Sequence, residues 1–202
     1  KKSIDYHKRR LYRKCRQIYS KINELIGTVE ILQCSGNWSK ININSIPAKH
    51  LKIRTLALQN KTTKKMMKKT GSNIRSTKPD RVECAQNMDI HFEKVKKGEV
   101  TMKASGLFIY ELVKAYWNGA SRDETYELQF KEIVDKSPAL EYFTALADTS
   151  GSMTGDPMIV AISLAALIAK KSIHYPNRYM SFNSVPKWKC IDPEADLYQI
   201  VN

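Results

Sequence analysis

Asp148, Ser150 and Ser152 follow the order D-x-S-x-S within the segment Ala147-Asp148-Thr149-Ser150-Gly151-Ser152-Met153. One carboxylate and two hydroxyls are hard oxygen donors, suited to Mg²⁺ or another oxygen-preferring cation. Gly151 lets the segment turn tightly. The negative charge of Asp148 is needed, because the positive end of a following helix disfavours a cation. The same residues also suit an ordinary polar turn, where Asp, Ser and Gly are common. Serine-hydrolase chemistry fits poorly, since neither serine is flanked by both glycines of G-x-S-x-G and no histidine is placed by sequence to act as base.

A second chemistry is carried by charge. The 202 residues include 34 Lys and Arg against 20 Asp and Glu, a net of +14. Residues 1–103 hold 25 basic and 8 acidic side chains, a net of +17, and residues 104–202 hold 9 and 12, a net of −3. Such an asymmetry suggests that one half meets a polyanion. The densest runs are Lys8, Arg9, Arg10, Arg13, Lys14 and Arg16, then Lys61, Lys64, Lys65, Lys68 and Lys69. On a helix, residues three and four apart share a face. Arg9, Arg13 and Arg16 then form one stripe, and Lys61, Lys64, Lys65, Lys68 and Lys69 another. Stripes of this kind suit a nucleic-acid backbone and make binding fall steeply with salt. Tyr6, Tyr12 and Tyr19 lie near the first stripe, where they could stack on unpaired bases. A solvated helix face would carry the same residues.

The elements that must position these groups are mostly helices. Residues 4–34 have Leu11, Cys15, Ile18, Ile22, Leu25, Ile26 and Val29 at helical spacing, weakened at Gly27 and ended by Ser35-Gly36-Asn37. Ser45 and Pro47 read as a cap and a first turn for a helix running to about Gln59. Residues 60–80 read as a loop or the end of a broken helix. Helices are then expected over Val82–Lys96, over Leu107–Trp117 opened by Ser105, and over Glu124–Val134. Leu140–Ala147 reads as a buried strand. A helix from Met158 to about Ala169, capped by Asp156 with Pro157 in its first turn, is apolar nearly all round. Tyr179–Phe182 is a second strand. Strand, loop, helix and strand in that order make a parallel unit, and in such sheets ligands gather at the carboxyl ends of strands, where D-x-S-x-S lies.

Several classes are excluded or disfavoured. No apolar run approaches the roughly 20 residues needed to cross a bilayer, so no membrane span is expected. Cys15, Cys34, Cys84 and Cys190, like the four histidines, are too scattered for a zinc site and read as reduced thiols of an intracellular protein. No acid–base pair, nucleophile–base arrangement or phosphate loop is present, so the chain reads as a non-enzyme.

Asp148–Met153 resembles the metal-ion-dependent adhesion site of von Willebrand factor A domains, where D-x-S-x-S follows the first strand. Gly155-Asp156-Pro157-Met158, Ala161-Ile162-Ser163-Leu164 and Ser181-Phe182-Asn183-Ser184-Val185-Pro186 resemble, more particularly, a Ro-like (TROVE-related) family found in plants and large DNA viruses. Trp38–Pro47 and Phe92–Glu99 resemble earlier segments of the same family. The resemblance implies an α-helical N-terminal region, residues 1–137, as an irregular helical array, followed by the start of an α/β von Willebrand A-type, Rossmann-like domain, residues 138–202. It implies Mg²⁺ or another divalent cation held by Asp148, Ser150 and Ser152, with an open position for a partner's carboxylate. It also implies RNA on the basic helical region. A domains complete their metal site with a Thr and an Asp from later loops, which would follow Asn202, so the chain reads as part of a longer protein. The expectation is therefore a cytoplasmic RNA-binding protein, also virion-associated if the source is a large DNA virus. The alternative is an adaptor or structural component that recruits a protein through the metal site.

Overall fold

A computed structural model describes residues 2–201, with side chains from Asp5 onward. Lys1 and Asn202, the ends at which the sequence suggests a longer chain, lie outside the described residues. The chain is mostly helical, with one small mixed sheet near its C-terminal end. Two compact units form, one from Lys1–Ile43 with Leu56–Asp89 and the other from Asn44–Thr55 with Ile90–Asn202. The expected boundary at 137/138 falls inside the second unit, because helices before it and after it share one core.

The first unit opens with α1, Lys2–Ile26, which ends where Gly27 takes a left-handed φ of 67°. That conformation strains other residues, so the expected single helix over 4–34 is two. The second is α2, Val29–Cys34. Two 3₁₀ turns, Trp38–Lys40 and Ile43–Ser45, follow. Helix α3, Ala48–Leu58, begins one residue after Pro47, whose carbonyl accepts from the Leu51 N–H at 2.9 Å. Pro47 thus stands ahead of the first turn rather than in it. Within the segment expected to be loop, Lys64–Thr70 forms α4, because the Thr63 hydroxyl caps the Met66 N–H. Helix α5 is Pro79–Lys96. The buried apolar side chains of this unit include Ile41, Ile43, Leu58, Cys84 and Met88.

Helix α6, Ile109–Trp117, starts at Phe108, whose N–H donates to the Glu111 carboxylate at 3.0 Å. Its opening therefore lies past Ser105. Helix α7, Glu124–Lys136, is capped by Asp123, which accepts from the Thr125 N–H at 2.8 Å. Strand β1 is only Leu146–Asp148, shorter than expected, since Leu140 makes a lone bridge to Ser172. Helix α8, Asp156–Lys171, carries chain to β2, Arg178–Phe182. Strands β1 and β2 pair in parallel with Leu146 opposite Met180, as the sequence predicts. An unforeseen strand, β3 at Lys187–Cys190, pairs antiparallel with β2, giving the order β1-β2-β3.

Helix α8 is buried on two sides. Ile159 joins Leu112, Val113, Tyr116, Phe130 and Leu197 in one core, and Ala165 joins Ala145 and Ala147 of the sheet in another. Val160 and Leu164 leave a partly open face. Each fully buried aliphatic side chain contributes about 1.5–3 kcal/mol of transfer free energy. The last helix, α9 at Leu197–Val201, is five residues long and opens on a capping box, Asp196 accepting from the Gln199 N–H at 2.9 Å and Gln199 from the Asp196 N–H at 3.0 Å. Its start is fixed by Glu127, which accepts from the Leu197 and Tyr198 N–H groups at 2.7 and 3.2 Å.

Candidate functional site

Strand β1 ends at Asp148, so the D-x-S-x-S residues leave the sheet at its carboxyl edge. Thr149 anchors the departure, its N–H donating to the Phe182 carbonyl at 2.7 Å. The Asp148 carboxylate accepts from the Ser150 N–H at 2.9 Å, and Ser150 Oγ lies 2.9 Å from Ser152 Oγ. Hydrogen bonds from Ser150 hold the Asp148 carboxyl below the usual carboxylate range, against a small opposing effect of burial. A 3₁₀ turn over Gly151–Met153 brings Ser152 back toward Ser150. The structure thus brings Asp148, Ser150 and Ser152 into one hydrogen-bonded loop, partly or fully exposed to solvent. Among the described residues, no three His, Cys, Asp or Glu side chains gather as a metal cluster, so Asp148 is the loop's sole carboxylate donor.

The link from this loop to α8 differs from the expected cap. Gly155 occupies the capping position with φ 99° and ψ −142°, and no side-chain cap bond is formed there. Asp156 is the first helical residue, and its carboxylate lies 2.7 Å from the Lys114 ammonium. An acid in the first turn still complements the helix dipole, and Pro157 follows where its missing N–H costs nothing.

The basic residues separate into two helices of the first unit. Lys8, Arg9, Arg10, Arg13 and Arg16 are exposed on α1, and Tyr6, Arg9, Arg10 and Arg13 line one surface depression. Arg9 approaches Asp5 at 3.5 Å, an exposed pair that leaves most of the stripe's charge uncompensated. Lys64, Lys65, Lys68 and Lys69 are exposed on α4. Lys61 is not on that helix. It precedes Thr63 and bridges antiparallel to Ile74, because the chain after α4 folds back on residues 60–62. The same fold brings in Arg75, whose N–H donates to the Asn60 carbonyl at 2.8 Å. Nothing in the sequence but its charge points to Arg75. The first unit carries 18 basic and 6 acidic residues, a net of +12, and the second 16 and 14, a net of +2. Most of the net charge therefore lies on the first unit, and the second is close to neutral rather than acidic.

A side-chain clasp that sequence reading missed stabilises this cationic unit. Asp80 accepts from the Trp38 and Ser39 N–H groups at 2.8 and 2.9 Å and from the Ser39 hydroxyl at 2.8 Å. The Arg81 guanidinium sits 3.4 Å from the centre of the Trp38 ring, a cation–π stack, while donating to the Ala57 carbonyl. Burial alone would raise the Asp80 pKa, but these donors bring it below the usual value. Beside them Cys84 is buried, and burial pushes its thiol up to about 11, so it is a core side chain and not a reactive one. All four cysteines are unpaired thiols, as expected.

The second unit buries its own polar network. Tyr116 donates to Glu127 at 2.5 Å, and the Thr55 and Thr125 hydroxyls lie 2.6 Å apart beside Asp123. Burial raises the pKa of Glu127 and of Tyr116. These groups join α7 to α6 and α9. No helix of the described residues is long and apolar enough to cross a membrane.

The chain is 28% identical over 181 residues to Uncharacterized protein L728 of Acanthamoeba polyphaga mimivirus. The match takes in 87% of this chain and 30% of that protein, so the chain spans about a third of its viral relative. No family profile and no solved structure matches the chain.

Proposed function

We propose that the chain is a non-enzymatic RNA-binding protein of Ro-like architecture, with RNA on the cationic helices α1 and α4 and a metal-dependent ligand contact at the D-x-S-x-S loop. The observation that carries this reading is the net charge of +12 on the first unit, displayed by exposed Lys and Arg on two helices. The parallel β1–α8–β2 unit, with Asp148 at the carboxyl end of β1, supports a von Willebrand A-type start for the second. The donor set fits a hard cation: Asp148 favours its ionised form, and two hydroxyls stand 2.9 Å apart beside it. Asp148, Ser150 and Ser152 would hold Mg²⁺, which when bound offers an open coordination position to a partner's carboxylate. The mimivirus relative suits a protein of the cytoplasm or of a virion.

Filter binding of single-stranded and structured RNA across a salt series tests the reading. With about six phosphate contacts, log K should fall with log salt at a slope near −4. Neutralising Arg9, Arg13, Lys64 and Lys68 together should flatten the slope and weaken binding, while Asp148→Ala should leave both unchanged. Weak, salt-independent binding would sink the proposal.

A second reading rests on the exposed hydroxyl pair of Ser150 and Ser152. Here the loop recruits a protein and the basic unit is only a solvated surface. A Mg²⁺-dependent pull-down from nuclease-treated extract, lost in Asp148→Ala, favours that reading.

A further inference from the structure

The two cationic helices carry different side chains. Helix α4 presents Lys64, Lys65, Lys68 and Lys69 and contains no aromatic residue. The basic side chains lining the depression on α1 are all arginine, and an aromatic ring stands among them. Tyr6, Arg9, Arg10 and Arg13 follow the spacing i, i+3, i+4, i+7, which puts them on one face of the helix. Together they line a space of about 270 Å³. Sites for small ligands begin at roughly 300 Å³, so the depression is of the size for one small group. Arg9 approaches Asp5 at 3.5 Å, while Arg10 and Arg13 have no hydrogen bond or ion pair among the described residues. Like charges three and four apart repel, so Arg13 beside Arg9 and Arg10 favours an anion between them. Tyr6 is 65% exposed, and among the described residues no ring lies parallel to it; His7 meets it at 76° with ring centres 5.8 Å apart.

We propose that this depression takes one unpaired nucleotide of an RNA strand, its base stacked on Tyr6 and its flanking phosphates held by Arg9, Arg10 and Arg13. The proposal rests on the RNA reading above and goes further by naming the part of the strand that α1 recognises. A guanidinium fork matches phosphate oxygens two at a time, whereas a lysine ammonium acts as a point charge. A bare anion would gain nothing from the ring. What the ring adds is a surface for the face of a base, and a base offers its face only where it is unpaired and unstacked. Helix α4, with lysines alone, meets the phosphates of paired and unpaired strands alike. The two helices thus divide the work: α4 supplies affinity for any strand, and α1 supplies the preference for single strands.

Fluorescence anisotropy of the full chain with three labelled probes of equal length tests this: oligo(U), an abasic strand with the same phosphates, and an A·U duplex. Oligo(U) should bind more tightly than the abasic strand. Tyr6→Leu should weaken oligo(U) binding by roughly five- to a hundredfold without changing its salt slope, and should leave the abasic strand and the duplex as they were. Tyr6→Phe, which keeps the ring, should restore the parent affinity. Arg10→Ala with Arg13→Ala should weaken oligo(U) and the abasic strand alike and reduce the salt slope by about 1.4. Every described side chain of α1 from Asp5 onward is exposed, so these changes leave the fold intact, which circular dichroism checks. UMP at the concentration of the strand should not displace it. Absence of salt-dependent binding to all three probes overturns the RNA reading and this proposal with it. Salt-dependent binding that ignores Tyr6→Leu, equal affinity for oligo(U) and the abasic strand, or displacement by UMP overturns the proposal alone and leaves the RNA reading standing.

Discussion

Ile159 on α8 is 3% exposed and Ile18 on α1 is 58% exposed, although each lies on a helix with a continuous apolar stripe. The difference is one of surroundings. Helix α8 is threaded between β1 and β2, so its small side chains meet the sheet on one face and α6 on another. The described side chains of α1 from Asp5 to Ile26 are all exposed, apolar ones included. Apolar side chains thus build a core in one region and remain exposed in the other. Apolar spacing alone identifies a helix face, and only the elements on either side determine what the face is for.

Four substitutions would sharpen or break that contrast. Ile159→Ala leaves a cavity beside Leu112 and Leu197 and should cost about 2–5 kcal/mol in urea unfolding. Ile18→Ala, at an exposed position, should change stability by less than about 0.5 kcal/mol. Equal losses would mean that α1 packs within its own chain after all. Next in size, Asp80→Ala removes the acceptor of three hydrogen bonds and should cost the first unit about 1–3 kcal/mol, read through Trp38 fluorescence.

That loss should depend on pH. Because the Asp80 pKa is lowered on folding, its contribution is whole above the ordinary carboxylate range and disappears as pH falls through the folded value. The parent and Asp80→Ala should therefore converge in acid. Glu127 acts in the opposite sense: its raised pKa makes folding most favourable when it is protonated, and that support declines as pH rises through the raised value. Smaller than the Asp80 effect, Lys96→Ala should cost under about 1 kcal/mol in urea unfolding, since its ion pairs with Glu93 and Glu124 are exposed.

What could be read in the sequence follows local pattern. The D-x-S-x-S loop and α8 were legible from neighbours in sequence, and the parallel strands, although α8 lies between them, from the order strand, loop, helix, strand. Strand β3 was not, since Lys187-Trp188-Lys189-Cys190 is short and exposed throughout. Helix α9 has a local capping box but is anchored by Glu127, some 70 residues earlier, and the Trp38 clasp depends on Asp80, about 40 residues later. The two-unit division was hidden for the same reason, because each unit is assembled from separated stretches of chain. Lys61 was misplaced because a basic spacing was continued past the Thr63 cap into a bridge.

Gly155 joins the candidate metal loop to α8 with φ 99° and ψ −142°, and a side chain there would meet nothing within 4 Å. Size is therefore not what the position selects. Inverting both angles gives ordinary extended backbone, so the chain at this joint has the hand of a D-residue. Among the twenty encoded residues, glycine alone is achiral and can supply that hand without strain. Any single-base change of its codon that introduces a side chain would strain the joint while leaving Asp148, Ser150 and Ser152 intact. The geometry of the loop is in this sense inherited through a residue that makes no contact with it.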